Sequence, residues 1–347
     1  MALAGPGFDR RGWPIAAGIK LDPEPKTTPI SGTLSLRFKG RNRGMQKSDW
    51  QGVMPAITNP YHDDLTIDHR RLSEHVVRLA DAGSTAIVTP GSLGEGGSLS
   101  LDEKVELWKT CHAAVGERIP VIAAVSAVST RESIDIARAA ESAGCRGLMV
   151  LPAYAYTGPW REMKAHFSAV IDATPLSCML YNNPIAYRVD VRPNELAELA
   201  DAHANLHATK ESSGDIRRFR EIREHLDDRL AVFVGIDDMA VEGADAGADG
   251  WIAGLVNALP EESIRLWNLA LAARDTGERT ELESLYRWFL PLLRLDAVPE
   301  FVHLVNLVQS EFDMGDERLR QPRLPVEGPV REHALRVIAE AKRTRPK

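Results

Sequence analysis

Cysteine is scarce in this chain. Cys111, Cys145 and Cys178 are scattered singly over 347 residues with no CxxC spacing. That excludes a disulfide framework or a zinc ribbon and predicts reduced, buried thiols in a cytoplasmic protein. Long apolar runs are missing too. None approaches the roughly 18 residues of a membrane span, and the first 48 residues hold no long apolar segment of the kind a secretory signal carries. There is no surplus of positive charge: 42 Lys+Arg face 49 Asp+Glu, a formal net charge of −7, which argues against nucleic acid as an obligate partner. His62, His75, His112 and His166 stand without ligand spacing, so surface or packing roles are expected for them and no metal is required. No GxGxxG turn follows the first apolar run, which counts against a doubly wound nucleotide-binding sheet and a dinucleotide cofactor.

What is present begins unevenly. Residues 1–48 carry nine Lys/Arg against three Asp/Glu, a net of +6, which leaves −13 for residues 49–347. Prolines and glycines recur there without sustained periodicity. The segment is read as a disordered, dispensable extension, with Met45 just ahead of the ordered pattern. A transit peptide or an anionic-surface arm is the other reading of its charge.

From Trp50 onward short apolar runs alternate with helical stretches. The runs are Gly52–Thr58, Thr85–Thr89, Val121–Ser126, Leu148–Leu151, Ser177–Tyr181, Leu206–Lys210, Ala231–Gly235 and Gly250–Leu255. Helical periodicity fills the gaps at Asp68–Ala82, Leu101–Val115, Thr130–Ala143, Trp160–Ala173, Pro193–Ala202, Ile216–His225 and Met239–Ala246. Gly83, Gly116, Gly144 and Gly247 stand where helix-ending glycines are expected. Eight such units predict an α/β fold, a TIM (β/α)8 barrel over residues 49–275. A helix at Pro260–Asp275 completes the barrel, and further helices at Glu281–Leu295, Val298–Glu311 and Val330–Arg343 predict a C-terminal helical extension over 276–347, in which Tyr286 and Trp288 serve packing.

Chemistry in such a barrel sits at the C-terminal ends of the strands. Strand two runs into Pro90-Gly91-Ser92-Leu93-Gly94-Glu95-Gly96-Gly97, a glycine-rich loop whose backbone N–H groups suit a carboxylate or phosphate. Strand four ends at Pro152-Ala153-Tyr154, strand five at Tyr181-Asn182-Asn183-Pro184, strand six at Lys210-Glu211 and strand seven at Gly235-Ile236-Asp237-Asp238. Burial disfavours an ammonium group, and a neutral amine is the nucleophile that Schiff-base chemistry needs. Taken alone, a lysine at a strand end is a snorkelling surface cation. Likewise Tyr181 alone is a core aromatic, and Asp237 and Asp238 are helix caps.

Together GSLGE, YNNP and TKESSGD, in that order and at those strand ends, resemble the dihydrodipicolinate synthase/N-acetylneuraminate lyase superfamily. The resemblance runs from about Gly52 to the C-terminal helices and omits residues 1–48. It implies that Lys210 forms the Schiff base and Tyr181 shuttles protons above it. Ser92 would link Tyr181 to a second tyrosine, Tyr154, which in the family is inserted across a tight dimer interface. It further implies that Ser92, Leu93 and Gly94 cradle the carboxylate of a 2-oxo acid, that the carbonyl of Ile252 lines the pocket, and that no cofactor is needed.

Two positions depart from the family pattern. Leu93 stands where many members carry a second hydroxyl. Ala186 stands where true dihydrodipicolinate synthases carry an arginine that grips the second substrate's carboxylate, and Arg188, two residues on, is the candidate substitute. The expectation is a catabolic, class I lyase of a pyruvate-type 2-oxo acid, a homodimer or homotetramer, and not a true dihydrodipicolinate synthase. The alternatives are a dehydratase or deaminase of a sugar-derived 2-oxo acid or of pyrroline-4-hydroxy-2-carboxylate, and, from another class, a non-catalytic 2-oxo acid sensor.

Overall fold

The computed structural model describes residues 44–346; the basic segment 1–43 lies outside the described residues. Eight strands alternate with helices: β1 Gly52–Pro55, β2 Ile87–Thr89, β3 Val121–Val125, β4 Gly147–Val150, β5 Ser177–Asn182, β6 Leu206–Glu211, β7 Ala231–Val234 and β8 Gly250–Ala253. The helices are α1 His69–Asp81, α2 Leu101–Val115, α3 Thr130–Ser142, α4 Trp160–Ile171, α5 Pro184–Tyr187, α6 Pro193–Ala202, α7 Arg217–Leu226, α8 Ala240–Asp245, α9 Pro260–Thr276, α10 Thr280–Leu293, α11 Phe301–Glu311 and α12 Gly328–Thr344. All strand pairs are parallel, and the order β1-β8-β7-β6-β5-β4-β3-β2 is closed by a bridge from Ala56 to Val88. This is the expected TIM barrel followed by C-terminal helices. Among the described residues no helix is long and apolar enough to cross a membrane.

The helices follow from their apolar spacing and their caps. On α1, Leu72, His75, Val76 and Leu79 are buried, one stripe at i, i+3, i+4 and i+7 facing the barrel. Asp68 caps this helix by accepting from Arg71 N at 3.0 Å, and Ser100 and Glu103 form a reciprocal capping box on α2. Gly83, Gly144 and Gly247 have φ of +109°, +93° and +94°, as expected of helix-ending glycines. Gly116 differs: its φ is −61°, because the chain continues in a helical turn there and a left-handed residue is not needed.

Two apolar layers result. One lies between strands and helices. The other fills the barrel interior with Met54, Met149, Met179 and Phe233 set against Ala86, Ala124, Ala208 and Ala231. Large and small residues in alternation are what a closed eight-stranded barrel can pack. The floor is sealed by Trp50, whose indole donates to Ser177 Oγ at 2.7 Å and meets Phe233 edge-on at 6.3 Å. Met45 is buried in the same cluster, so the packed barrel reaches back beyond the Ser48/Asp49 boundary drawn from charge and periodicity. Asp237 also differs from its expected role as a cap of the following helix. Its carboxylate accepts from Trp251 Nε1 at 2.9 Å, Gly254 N at 3.0 Å and Leu255 N at 2.7 Å. It thereby caps the 3-10 turn Leu255–Asn257 after β8.

Candidate active site

Register brings the strand ends together. In the β5–β6 ladder Tyr181 is the partner of Lys210, and Lys210 Nζ lies 4.1 Å from the centre of the Tyr181 ring. Both residues are buried, at 6% and 7% exposure, so Lys210 is not a snorkelling surface cation. Room for it is made by Gly235 at the end of β7. A Cβ there would overlap Ser212 Oγ and lie 2.5 Å from Lys210 Cε.

The glycine-rich loop is tight for a reason of the same kind. A Cβ on Gly94 would lie 2.6 Å from the Ile57 carbonyl oxygen, and one on Gly96 would overlap that of Pro90. Glu95, in the left-handed region at φ +52°, turns its carboxylate into the protein, where it accepts from Arg320 N at 2.9 Å. Burial raises its pKa against the pull of the Arg320 N–H and of Arg323. Among the described residues the N–H groups of Ser92 and Leu93 donate to no backbone carbonyl. They are therefore available to an anion.

Around Ser92 the arrangement differs from the expected relay. The Ser92 hydroxyl bonds to the hydroxyl of Tyr187, while Tyr181 accepts from Asn183 Nδ2 at 2.9 Å. The Tyr187 ring stands edge-on to Tyr181, with centroids 5.8 Å apart, and tilts against Tyr154, also at 5.8 Å. Three phenols and one serine thus form a continuous polar cluster beside Lys210. Burial raises the Tyr154 pKa, opposed by hydrogen bonds with Ser126 and Ser92. Burial and the neighbouring Tyr181 and Tyr154 hold Tyr187 well above the ordinary phenol range. Tyr154 and Tyr187 are thus protonated at neutral pH, and the cluster offers a path along which a proton can pass.

Tyr187 was legible only as the residue after Ala186. Its position comes from the short helix α5, begun by Asn183, whose Oδ1 accepts from Ala186 N at 2.9 Å, and by Pro184 at the first helical position. One helical turn brings Tyr187 back over the strand end, and Arg188 then leaves in the left-handed conformation at φ +59°. Arg188 is exposed, as is Ala186. Ile252 is on β8, buried in the barrel interior. The residues YNNP also brace the strand: Asn182 donates to Glu211 Oε2 at 3.0 Å and accepts from Val191 N at 2.9 Å.

A carboxyl that the strand-end motifs do not contain completes the mouth. Asp296, just after α10, packs on Gly254, where a Cβ would overlap its Oδ1. Burial and the nearby Asp237 raise its pKa well above the carboxylate range, with Lys210 opposing. Asp237 is itself pushed up to about 6 by burial, against its three donors and Lys210.

Residues 49–341 match the sequence model of the dihydrodipicolinate synthetase family. The 4-hydroxy-tetrahydrodipicolinate synthase of Natronomonas pharaonis is 31% identical over 304 residues, covering 86% of this chain and 100% of the relative. The structure of the 4-hydroxy-tetrahydrodipicolinate synthase of Methylacidiphilum fumariolicum superposes with a TM-score of 0.80 at 26% identity, over 84% of this chain and 96% of that one. That of the chloride-inhibited dihydrodipicolinate synthase of Acinetobacter baumannii, complexed with pyruvate, gives a TM-score of 0.78 at 27% identity over 84% and 99%.

Proposed function

The chain belongs to the dihydrodipicolinate synthetase family, and from that membership we propose a class I lyase that forms a Schiff base between Lys210 and a pyruvate-type 2-oxo acid. The observation that carries this reading is the buried Lys210 amine, 4.1 Å from the Tyr181 ring centre and beside a cluster of phenols. The 2-oxo acid's carboxylate binds the N–H groups of Ser92 and Leu93, with Gly94 keeping the loop tight. Lys210 Nζ attacks the ketone carbon, and protons for the carbinolamine steps pass through Tyr181, Tyr187, Ser92 and Tyr154. The iminium then draws electrons from C3, so an enamine forms and a C–C bond to C3 can break or be made.

The second substrate is not that of a dihydrodipicolinate synthase. Ala186 has no charge to offer, and Arg188 is exposed. A carboxylate in that part of the mouth would lack its bidentate partner. A catabolic aldol cleavage or addition fits better.

A second copy of the chain completes the functional unit, covering the exposed Val128 and Tyr156 on the loops after β3 and β4, beside Tyr154. Free, buried Cys111, Cys145 and Cys178 suit a reducing cytoplasm.

Incubation with pyruvate and borohydride tests the reading. One reduced pyruvyl adduct per chain is expected, mapped to Lys210 and absent in Lys210→Ala. Label on another lysine, or label surviving in Lys210→Ala, would refute it.

A further inference from the structure

Lys210 has unlike neighbours on its two sides. Toward β5 stand the phenols. Toward β7 and β8 stand two carboxyls that meet across Gly254. Asp237 holds that glycine's N–H, and Asp296 packs on the face where a side chain would otherwise project, with its Cγ 2.8 Å from the place a Cβ would take. The two acids are not equivalent. Asp237 is fully buried and its oxygens are taken up by three donors. Asp296 has electrostatic neighbours, Asp237, Lys210 and Asp238, but no hydrogen-bond donor among the described residues. Its contact with Gly254, directly after β8, sets it at the C-terminal end of the strands, and Lys210 is among the charges acting on it. That places it on the β8 side of the mouth.

An acid with no internal partner, beside the lysine and on the side away from the phenols, has proton transfer open to it. We propose that Asp296 is a further catalytic residue of this site, the base that takes the C3 proton of the 2-oxo acid joined to Lys210. This rests on the Schiff-base reading above.

The steps balance as follows. Lys210 Nζ bonds to C2, and the carbonyl oxygen departs as water, taking one hydrogen from the amine and one through the phenols, which solvent reprotonates, while the Asp296 carboxyl releases its proton to solvent as the iminium cation forms beside it. A cationic iminium and an anionic carboxylate then stand side by side, and opposite charge favours both ionised forms. The carboxylate next accepts the C3 proton. The C3–H electron pair becomes the C2=C3 bond, and the π pair of the iminium returns to nitrogen. Reversal delivers a proton, or a deuteron from exchanged solvent, to C3.

Pyruvate itself is the probe, so the natural substrate need not be known. Two quantities are measured on the whole protein: the borohydride-trapped adduct at saturating pyruvate, and the exchange of the pyruvate methyl protons in D2O followed by NMR. In Asp296→Asn the adduct should be retained, which also shows that the variant is folded, while exchange slows by roughly a hundredfold, the lower end for loss of a general base. Asp296→Glu, which keeps a carboxyl, should recover part of the exchange. Exchange at the wild-type rate in Asp296→Asn would overturn the assignment. So would loss of adduct and exchange together, since Asp296 would then act through Lys210. Absence of adduct in the unsubstituted protein would instead remove the Schiff-base reading and, with it, this one.

Discussion

Gly235→Ala adds one methyl group where the lysine passes. The backbone at Gly235 is not in the left-handed region, and its N–H donates to the Glu211 carbonyl at 3.1 Å, so alanine brings no conformational penalty of its own. The new Cβ, however, would overlap Ser212 Oγ and stand 2.5 Å from Lys210 Cε and 2.8 Å from Lys210 Cγ. Ordinary carbon contacts are about 3.5–4.0 Å, so the lysine must retreat by roughly 1 Å. Overpacking of this size costs about 1–3 kcal/mol of stability. A misplacement of about 1 Å at a reacting group costs on the order of a hundredfold in rate. The assay is the rate of pyruvate adduct formation, trapped with borohydride at timed intervals, together with the thermal midpoint. Gly247→Ala is the control: nothing lies within 4 Å of its Cβ, but its φ is +94°. It should lower the midpoint through backbone strain alone and leave the rate untouched. A Gly235→Ala protein that forms adduct at the wild-type rate would show that the lysine is not confined by that wall.

Two further outcomes are expected. His75 is buried, with Nε2 2.8 Å from Asn257 Oδ1. Asn257 Nδ2 already donates to the Ala56 and Gly254 carbonyls, so Oδ1 must accept and the imidazole is the neutral Nε2–H form. Burial lowers its pKa from 6.5 to about 4. A depressed histidine contributes stability that is complete above the unfolded pKa of 6.5 and is lost as pH falls through about 4, some 3 kcal/mol in all. Urea unfolding at pH 7.5 and 4.5 should therefore show a smaller acid loss in His75→Gln than in the unsubstituted protein, and equal losses would contradict the linkage. Condensation of pyruvate with aspartate semialdehyde should be at least roughly tenfold to a hundredfold less efficient than in a dedicated synthase, from the loss of a charge-assisted hydrogen bond of about 1.5–3 kcal/mol at Ala186. A synthase-like rate that falls in Arg188→Ala would identify Arg188 as the clamp after all.

Strand ends were legible because backbone alternation and register fix where their side chains go. Lys210 and Tyr181 are ladder partners, close together as their strand-end positions and the family resemblance imply. Helices with strong caps were legible as well: Leu101–Val115 and Pro193–Ala202 have the expected limits. The first run was drawn too long. It leaves the sheet after Pro55, and Ala56 makes only an isolated bridge. Within the site, the residues missed are those whose partners are distant in sequence or whose path is not extended. Tyr187 depends on a single helical turn after Pro184, which alternation misplaces. Asp237 looked like a local cap, but its donors come from residues 251–255. Asp296 sits between apolar residues at a helix end, and its contact with Gly254 is distant in sequence.

The closed floor gives this arrangement its direction. Beneath Lys210, its ladder partner Phe233 packs on Trp50, and Met45 fills the same layer, so among the described residues the amine is closed off from below. In the proposed reaction a 2-oxo acid therefore enters from the mouth, with its carboxylate toward the glycine-rich loop after β2. Its ketone carbon then lies over β6, the phenols reach it from the β5 side and Asp296 from the β8 side. Two proton-transfer groups on opposite sides of one iminium need not compete. One serves the oxygen that leaves C2, the other the hydrogen on C3, and the distal part of the substrate is left to the loops around Ala186.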